Sequence, residues 1–347
     1  MASDLLRVGV IGLGFGQYHI RGYQACTGVT VETICSRTTE TAQRVAKDYG
    51  IAETQTDYRA VLDRKDLDAV SICTPVNLHK QMVIEALESG KHVLCEKPLG
   101  LNTAEAGEML ESARRSGMVH MTNFGWRFNG PAFRMKSLLD EGYIGKTYHL
   151  NARYMMGYRA SPRKEHSWRE RRMAAGLGAM GDLGVHLIDM TRWWIGEFER
   201  VCSLMHTLIP ERPAPDSSTM RESELEDACA FISQMQDGVQ AVFHVSRCAL
   251  CTDYIHIEIH GSNGALQFQF LRDTMQASLK GGQGLRGNIQ PLSVPARKGA
   301  LSPQRHFIDA IRSGGEANPS FHEGFCVQQV ADAITASEEK QAWVSLQ

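Results

Sequence analysis

Along the first third of the chain, short apolar runs alternate with stretches whose apolar residues fall at helical intervals. Residues 6–11, 29–35, 69–74, 92–95 and 119–123 read as strands, and 17–26, 40–49, 78–89 and 103–116 as helices. Strand and helix in strict alternation predict a doubly wound parallel sheet, a Rossmann-type α/β unit. After about Asn123 the period changes. Segments 148–154, 228–234, 240–246, 254–260 and 265–270 alternate apolar with polar residues, which predicts a large, mainly antiparallel open sheet in an α+β domain. Ser302 as cap, Pro303 at the first helical position and Gly314 as terminator predict a helix over 303–313, and a last helix is expected over 323–337. Segments 209–223 and 280–287, rich in Pro, Ser, charge or Gly, read as surface loops. The expected division is a dinucleotide-binding domain over 1–122 and a substrate-binding and oligomerisation domain over 123–347.

Length and composition agree with two globular domains: 347 residues, 43% hydrophobic and 22% charged. A net charge of −2 with interspersed signs provides no surface for a polyanion, so nucleic acid is not an expected partner. The start, residues 1–10, lacks a signal-peptide pattern and no apolar run reaches a membrane span, so a cytoplasmic protein without a membrane partner is expected. The nine cysteines are expected to be reduced, with Cys35, Cys73 and Cys95 acting as small buried hydrophobes. Cys248 and Cys251 near three histidines invite a zinc reading. However, His256, Glu258 and His260 alternate with Ile255, Ile257 and Ile259 as in a half-buried strand, and one C-x-x-C without a second pair does not make a site, so no metal is expected.

Gly12, Gly14 and Gly16 follow the first strand and precede a helix, the context in which glycines let backbone approach a pyrophosphate at a helix N-terminus; Phe15 lies within this turn. The third glycine falls one position early for G-x-G-x-x-G, so a tighter turn is expected. The second strand ends in Ser36 and Arg37 rather than in the carboxylate that would bind both ribose hydroxyls. A hydroxyl followed by a guanidinium can hold a 2′-phosphate, which favours NADP while leaving NAD open. Thr74, Pro75 and His79, then Glu96, Lys97 and Pro98, follow the next two strands, at the sheet edge where such folds bind ligands. Asp182 and His186, four apart in the helix expected over 180–194, share one face and suit proton transfer.

The glycine turn with His19, the T-P-x-x-x-H of Thr74 to His79, the E-K-P at Glu96 to Pro98 and the D-x-x-x-H of Asp182 and His186 resemble the Gfo/Idh/MocA oxidoreductases over almost the whole chain. The resemblance implies hydride transfer between NADP or NAD and a secondary alcohol or ketone of a sugar, inositol or related polyol. It implies that Lys97, Asp182 and His186 converge over the nicotinamide, with Lys97 on the reacting oxygen and His186 moving its proton, and that Pro98 is cis. It further suggests Trp168 and Arg169 as cofactor or substrate contacts, with Asn123, Arg127, Asn129 and His166 near the substrate. A nucleotide-sensing protein without turnover and a reductase of imine or dihydrodiol substrates stay open as alternatives. An apolar open sheet face would need covering, so a homodimer or homotetramer is expected.

Overall fold

The computed structural model describes residues 5–215, 219–296 and 302–346. They form two compact units: Met1–Gly125 with Lys298–Cys326, and Trp126–Arg297 with Val327–Gln347.

The first unit is built on six parallel strands: β1 (Leu6–Ile11), β2 (Val29–Cys35), β3 (Glu53–Gln55), β4 (Ala69–Ile72), β5 (His92–Cys95) and β6 (His120–Thr122). Their order is β3, β2, β1, β4, β5, β6. Chain order reverses direction at β1, with β2 on one side and β4 on the other, and the glycine turn leaves β1 at that switch point. All four residues of β4 are buried, as a parallel strand covered on both faces requires. Helix ends follow the local chemistry. Thr38 accepts a hydrogen bond from Thr41 N, Asn102 from Glu105 N and Ser302 from Arg305 N, while Gly50, Gly117 and Gly314 close their helices in the left-handed conformation. Helix Pro303–Ser313 lies against helix Gly16–Gln24, where Gln304 packs on Gly22 and Arg312 donates to the carbonyls of Thr27 and Gly28. β3 and the five-residue helix Tyr58–Leu62 were not expected. Three residues in the pattern exposed, half-buried, half-buried are too few to display a period.

The second unit holds β7 (Thr147–Met155), β8 (Phe198–His206), β9 (Glu211–Pro213), β10 (Met220–Glu222), β11 (Ala228–Met235), β12 (Gln240–Ser246), β13 (Tyr254–Gly261), β14 (Gly264–Leu271), β15 (Gln276–Gln283), β16 (Gln290–Pro291) and β17 (Val344–Ser345). Nine of these form one sheet in the order β16, β15, β14, β13, β7, β12, β11, β8, β17, and β9 pairs with β10. Every neighbouring pair in the large sheet is antiparallel except β7 with β12. The alternation expected for β13 is present: Ile255, Ile257 and Ile259 are fully buried against Tyr154, Ala152 and Leu150 of β7. Phe231 and Phe243 stack across the inner face at 4.3 Å between ring centroids.

Three expectations need correction. The segments read as loops contain β9, β10 and part of β15, because β9 and β10 are three residues each and the end of β15 is built from Gly281 and Gly282, so none displays an apolar alternation, although 216–218 fall outside the described residues. The helix expected from residue 180 begins as a π-helical turn, Met180–Gly184, and becomes α-helical only over Val185–Ile195. The last helix runs longer than expected, Phe321–Lys340. All nine cysteines are free, and among the described residues no helix is long and apolar enough to cross a membrane.

Candidate active site

The candidate residues fall into two groups, one in each unit. In the first, Gly12 has φ +91, and a Cβ there would stand 2.6 Å from the Cys73 carbonyl oxygen and 2.9 Å from Thr74 N. The exit of β4 therefore presses on the turn so closely that only glycine fits. A Cβ on Gly16 would meet Val10 Cγ1 at 2.9 Å, so this glycine serves helix-on-strand packing, the task of the third glycine, one position early. Gly14 has nothing within 4 Å of an added Cβ. Helix Gly16–Gln24 starts after Phe15 with no side-chain cap and no acid in its first turn; the Tyr18 amide bonds the Phe15 carbonyl at 2.8 Å, and the Gly16 and Gln17 amides at the very start suit an anion. Phe15 is exposed and stacks on Tyr18 at 5.5 Å. Ser36 is half-buried at the tip of β2 and Arg37 is exposed beside it.

At the ends of β4 and β5, backbone turns are fastened by buried side chains. His79 is buried, with Nε2 3.0 Å from the Thr74 carbonyl and Nδ1 3.0 Å from that of Pro98. It ties the Thr74, Pro75 turn to the Lys97–Pro98 turn, whose peptide bond is cis. Burial pushes the His79 ring down, against the raising effect of those carbonyls. Glu96 is buried as well. His19 Nε2 lies 2.9 Å from its Oε1, Asn123 Nδ2 donates to the same oxygen at 2.5 Å, and Lys97 N donates to Oε2 at 3.2 Å. Burial alone would raise the Glu96 carboxyl, but His19, Lys97 and Asn123 outweigh it and hold it below the usual carboxylate range.

In the second unit Asp182 sits in the π turn and His186 follows in the α-helix, both half-buried. The Tyr158 hydroxyl donates to Asp182 Oδ2 at 2.6 Å, and Arg169 Nε faces Oδ1 at 3.5 Å. Burial, reinforced by the Asp182 charge, pushes the Tyr158 hydroxyl well above its ordinary range, so it remains a donor at any working pH. Arg169 also stacks on Trp168, 4.4 Å from the ring centroid. The start of the turn is fixed by Glu226, whose Oε1 accepts from Gly178 N at 2.9 Å and Met180 N at 3.0 Å. Burial raises the Glu226 carboxyl despite these bonds. Below Asp182 lies a cluster of buried charges. Arg247 donates to Asp227 Oδ1 at 2.8 Å and reaches within 4.0 Å of Asp182, Arg212 stands 3.6 Å from Asp227, and Arg159 pairs with Glu170 at 2.8 Å.

Tyr158, Glu226, Arg247 and Asp227 were not found by sequence reasoning; isolated polar residues on strands and loops carry no spacing signal. Other candidates are occupied elsewhere. Arg127 is buried and forked onto Asp189, with bonds of 2.6 Å and 3.0 Å. Asn129 caps helix Gly130–Asp140, and His166 Nε2 faces the Glu222 carbonyl at 3.1 Å.

The first unit suits a dinucleotide on its own observations. The pressed glycine turn, the uncapped helix start and the Asn123 Oδ1, buried without a hydrogen-bond partner among the described residues, are features such a ligand would complete. Known proteins agree. Residues 6–124 match the oxidoreductase family with NAD-binding Rossmann fold, and residues 133–267 match the GFO/IDH/MocA C-terminal domain. The chain is 31% identical to levoglucosan dehydrogenase of Pseudarthrobacter phenanthrenivorans over 98% of both chains. It is 26% identical to myo-inositol 2-dehydrogenase of Thermotoga maritima, over 99% of both. The solved structure of levoglucosan dehydrogenase in complex with NADH and levoglucosan superposes with a TM-score of 0.89 at 29% identity, covering 98% of this chain and 99% of that one.

Proposed function

Because this chain belongs to the Gfo/Idh/MocA family of NAD-binding oxidoreductases, we propose that it transfers hydride between a nicotinamide cofactor and a secondary alcohol or ketone of a sugar, inositol or related polyol. The observation that carries this reading is Asp182, held by Tyr158 and Arg169 one helical turn before His186. A carboxylate so held can stabilise a protonated imidazole, which is what a histidine receiving a hydroxyl proton becomes. The nicotinamide, when bound, takes up or gives the hydride. Lys97 provides the ammonium for the charge that develops on the reacting oxygen, with Glu96 as the fixed anion beside it in the chain. His186 takes the hydroxyl proton in oxidation and returns it in reduction. Functionally, 1–122 serves the cofactor, and 123–347 serves substrate and self-association.

NAD(H) is the cofactor class. Within it, Ser36 and Arg37 favour NADP, since neither repels a 2′-phosphate and the guanidinium can bond it. Trp168 and Arg169, joined by their stacking, serve cofactor or substrate. The outer face of the large sheet exposes Leu204, Ile232 and Val242, the last two directly paired, and a homodimer or homotetramer would cover them. Light scattering giving only a monomer would refute that assembly. The nine free thiols suit a reducing cytoplasm.

The test is reduced-nicotinamide absorbance when the purified protein meets sugars, inositols and their keto forms with NADP and NAD separately. Turnover on a polyol is expected. Saturable NADPH binding without turnover on any of them would overturn the dehydrogenase reading in favour of a sensor.

A further inference from the structure

His19 belongs to the glycine-turn motif, yet no step assigned so far uses it. Its ring is fully buried, with Nε2 2.9 Å from Glu96 Oε1 and Nδ1 3.0 Å from Ser71 Oγ; Ser71 Oγ lies 2.8 Å from the hydroxyl of buried Tyr23. Counting protons orients this chain. A carboxylate offers no proton, so His19 Nε2 must carry one to Glu96. In the neutral ring Nδ1 is then an acceptor, so Ser71 gives it its single proton, and Ser71 Oγ in turn accepts from Tyr23. With the ring neutral, the order Tyr23, Ser71, His19, Glu96 runs in one direction, and with either form of the ring it ends on the carboxylate that accepts the Lys97 amide proton at 3.2 Å. Asn123 Nδ2 lies 3.2 Å from His19 Nε2 because both donate to the same oxygen.

We propose that His19 is a positioning residue: through Glu96 it fixes the backbone of Lys97 and keeps a buried negative charge beside the ammonium that meets the reacting oxygen. Glu96 held ionised in spite of its burial agrees with this arrangement. The rate effects rest on the hydride-transfer reading, whereas the effect on Lys97 itself does not.

The test compares His19→Gln, whose amide nitrogen can replace Nε2 as donor, with His19→Leu, which cannot donate. Turnover and its pH profile are read together with NADH affinity by fluorescence and with the titration of Lys97, followed by NMR after reductive methylation with labelled formaldehyde. His19→Leu is expected to lose turnover about 100-fold, the scale of a misplaced reacting group, with NADH affinity nearly kept and the Lys97 titration moved to lower pH. His19→Gln should restore turnover to within roughly tenfold of the parent, as one recovered hydrogen bond to a charge allows. Should His19→Leu not fold, Ser71→Ala, which removes the donor to Nδ1, is expected to move turnover and the Lys97 titration in the same direction by less. Equal losses in the Leu and Gln variants, or an unmoved Lys97 titration in folded His19→Leu, would overturn the proposal. If no polyol is turned over, the Lys97 titration still decides the role of His19, and the missing turnover counts against the dehydrogenase reading alone.

Discussion

The two units hold their functional side chains by opposite electrostatic means. In the first, a single buried carboxylate, Glu96, is satisfied by donors from His19, Asn123 and the Lys97 backbone. In the second, three buried arginines and two buried carboxylates are packed below Asp182, and Arg159 Nε, Arg212 Nε and Arg247 Nη2 have no hydrogen-bond partner among the described residues. Directed hydrogen bonds converging on one carboxylate fix a geometry, whereas buried ion clusters are costly to desolvate and collapse when one member is lost. The contrast teaches that the first unit is arranged to aim a backbone turn, and the second to seat Asp182 on a buried network of ion pairs.

That contrast is broken most directly at Asp227. Replacing it with Ala strands Arg247 and Arg212, and denaturant unfolding should register a loss of about 3–5 kcal/mol. Glu96→Gln should destabilise less, and the reverse ranking would invert the comparison. Tyr158→Phe removes a donor to a charged acceptor, worth about 1.5–3 kcal/mol. Steady-state kinetics should show turnover reduced by about 10- to 100-fold with cofactor affinity nearly constant, because the phenol bonds Asp182. The pH dependence of unfolding sharpens the other side. Because the Glu96 carboxyl is held below its ordinary value of about 4.3, its stabilising contribution is complete above that value and is lost as pH falls through the lower folded one. Denaturant midpoints followed into acid should therefore fall less steeply in Glu96→Gln than in the parent. Smallest is Arg37→Ala, expected to lower kcat/KM for NADP about tenfold, or about 1.4 kcal/mol, while NAD is little affected; equal change with both cofactors would remove Arg37 from phosphate recognition.

The first unit was the more legible in sequence because its site residues follow strand ends. Once β1, β4 and β5 are placed by their apolar runs, Gly12, Thr74 and Lys97 fall at the ligand-binding edge without further information. The role of His19 is not legible in sequence beyond its place in the motif, because its partner Glu96 is 77 residues away. In the second unit the spacing of Asp182 and His186 was visible, but the π turn beneath Asp182 was not, since a one-residue change of helical period leaves no mark in a short Gly-rich segment. The arginine cluster was hidden for a different reason. Nothing in the spacing of Arg159, Arg212 and Arg247 along the chain marks them, and the fold brings them to Glu170 and Asp227.

In the proposed reading the glycine turn of the first unit binds the cofactor and Lys97 meets the reacting oxygen, while His186 of the second unit handles the proton. His186→Ala tests it through two numbers measured on one preparation, turnover on the best polyol substrate and NAD(P)H affinity by fluorescence titration. The account predicts turnover lowered by about 10²- to 10⁴-fold, the range of a lost general acid–base group, with affinity nearly unchanged. Turnover equal to that of the parent protein would contradict it.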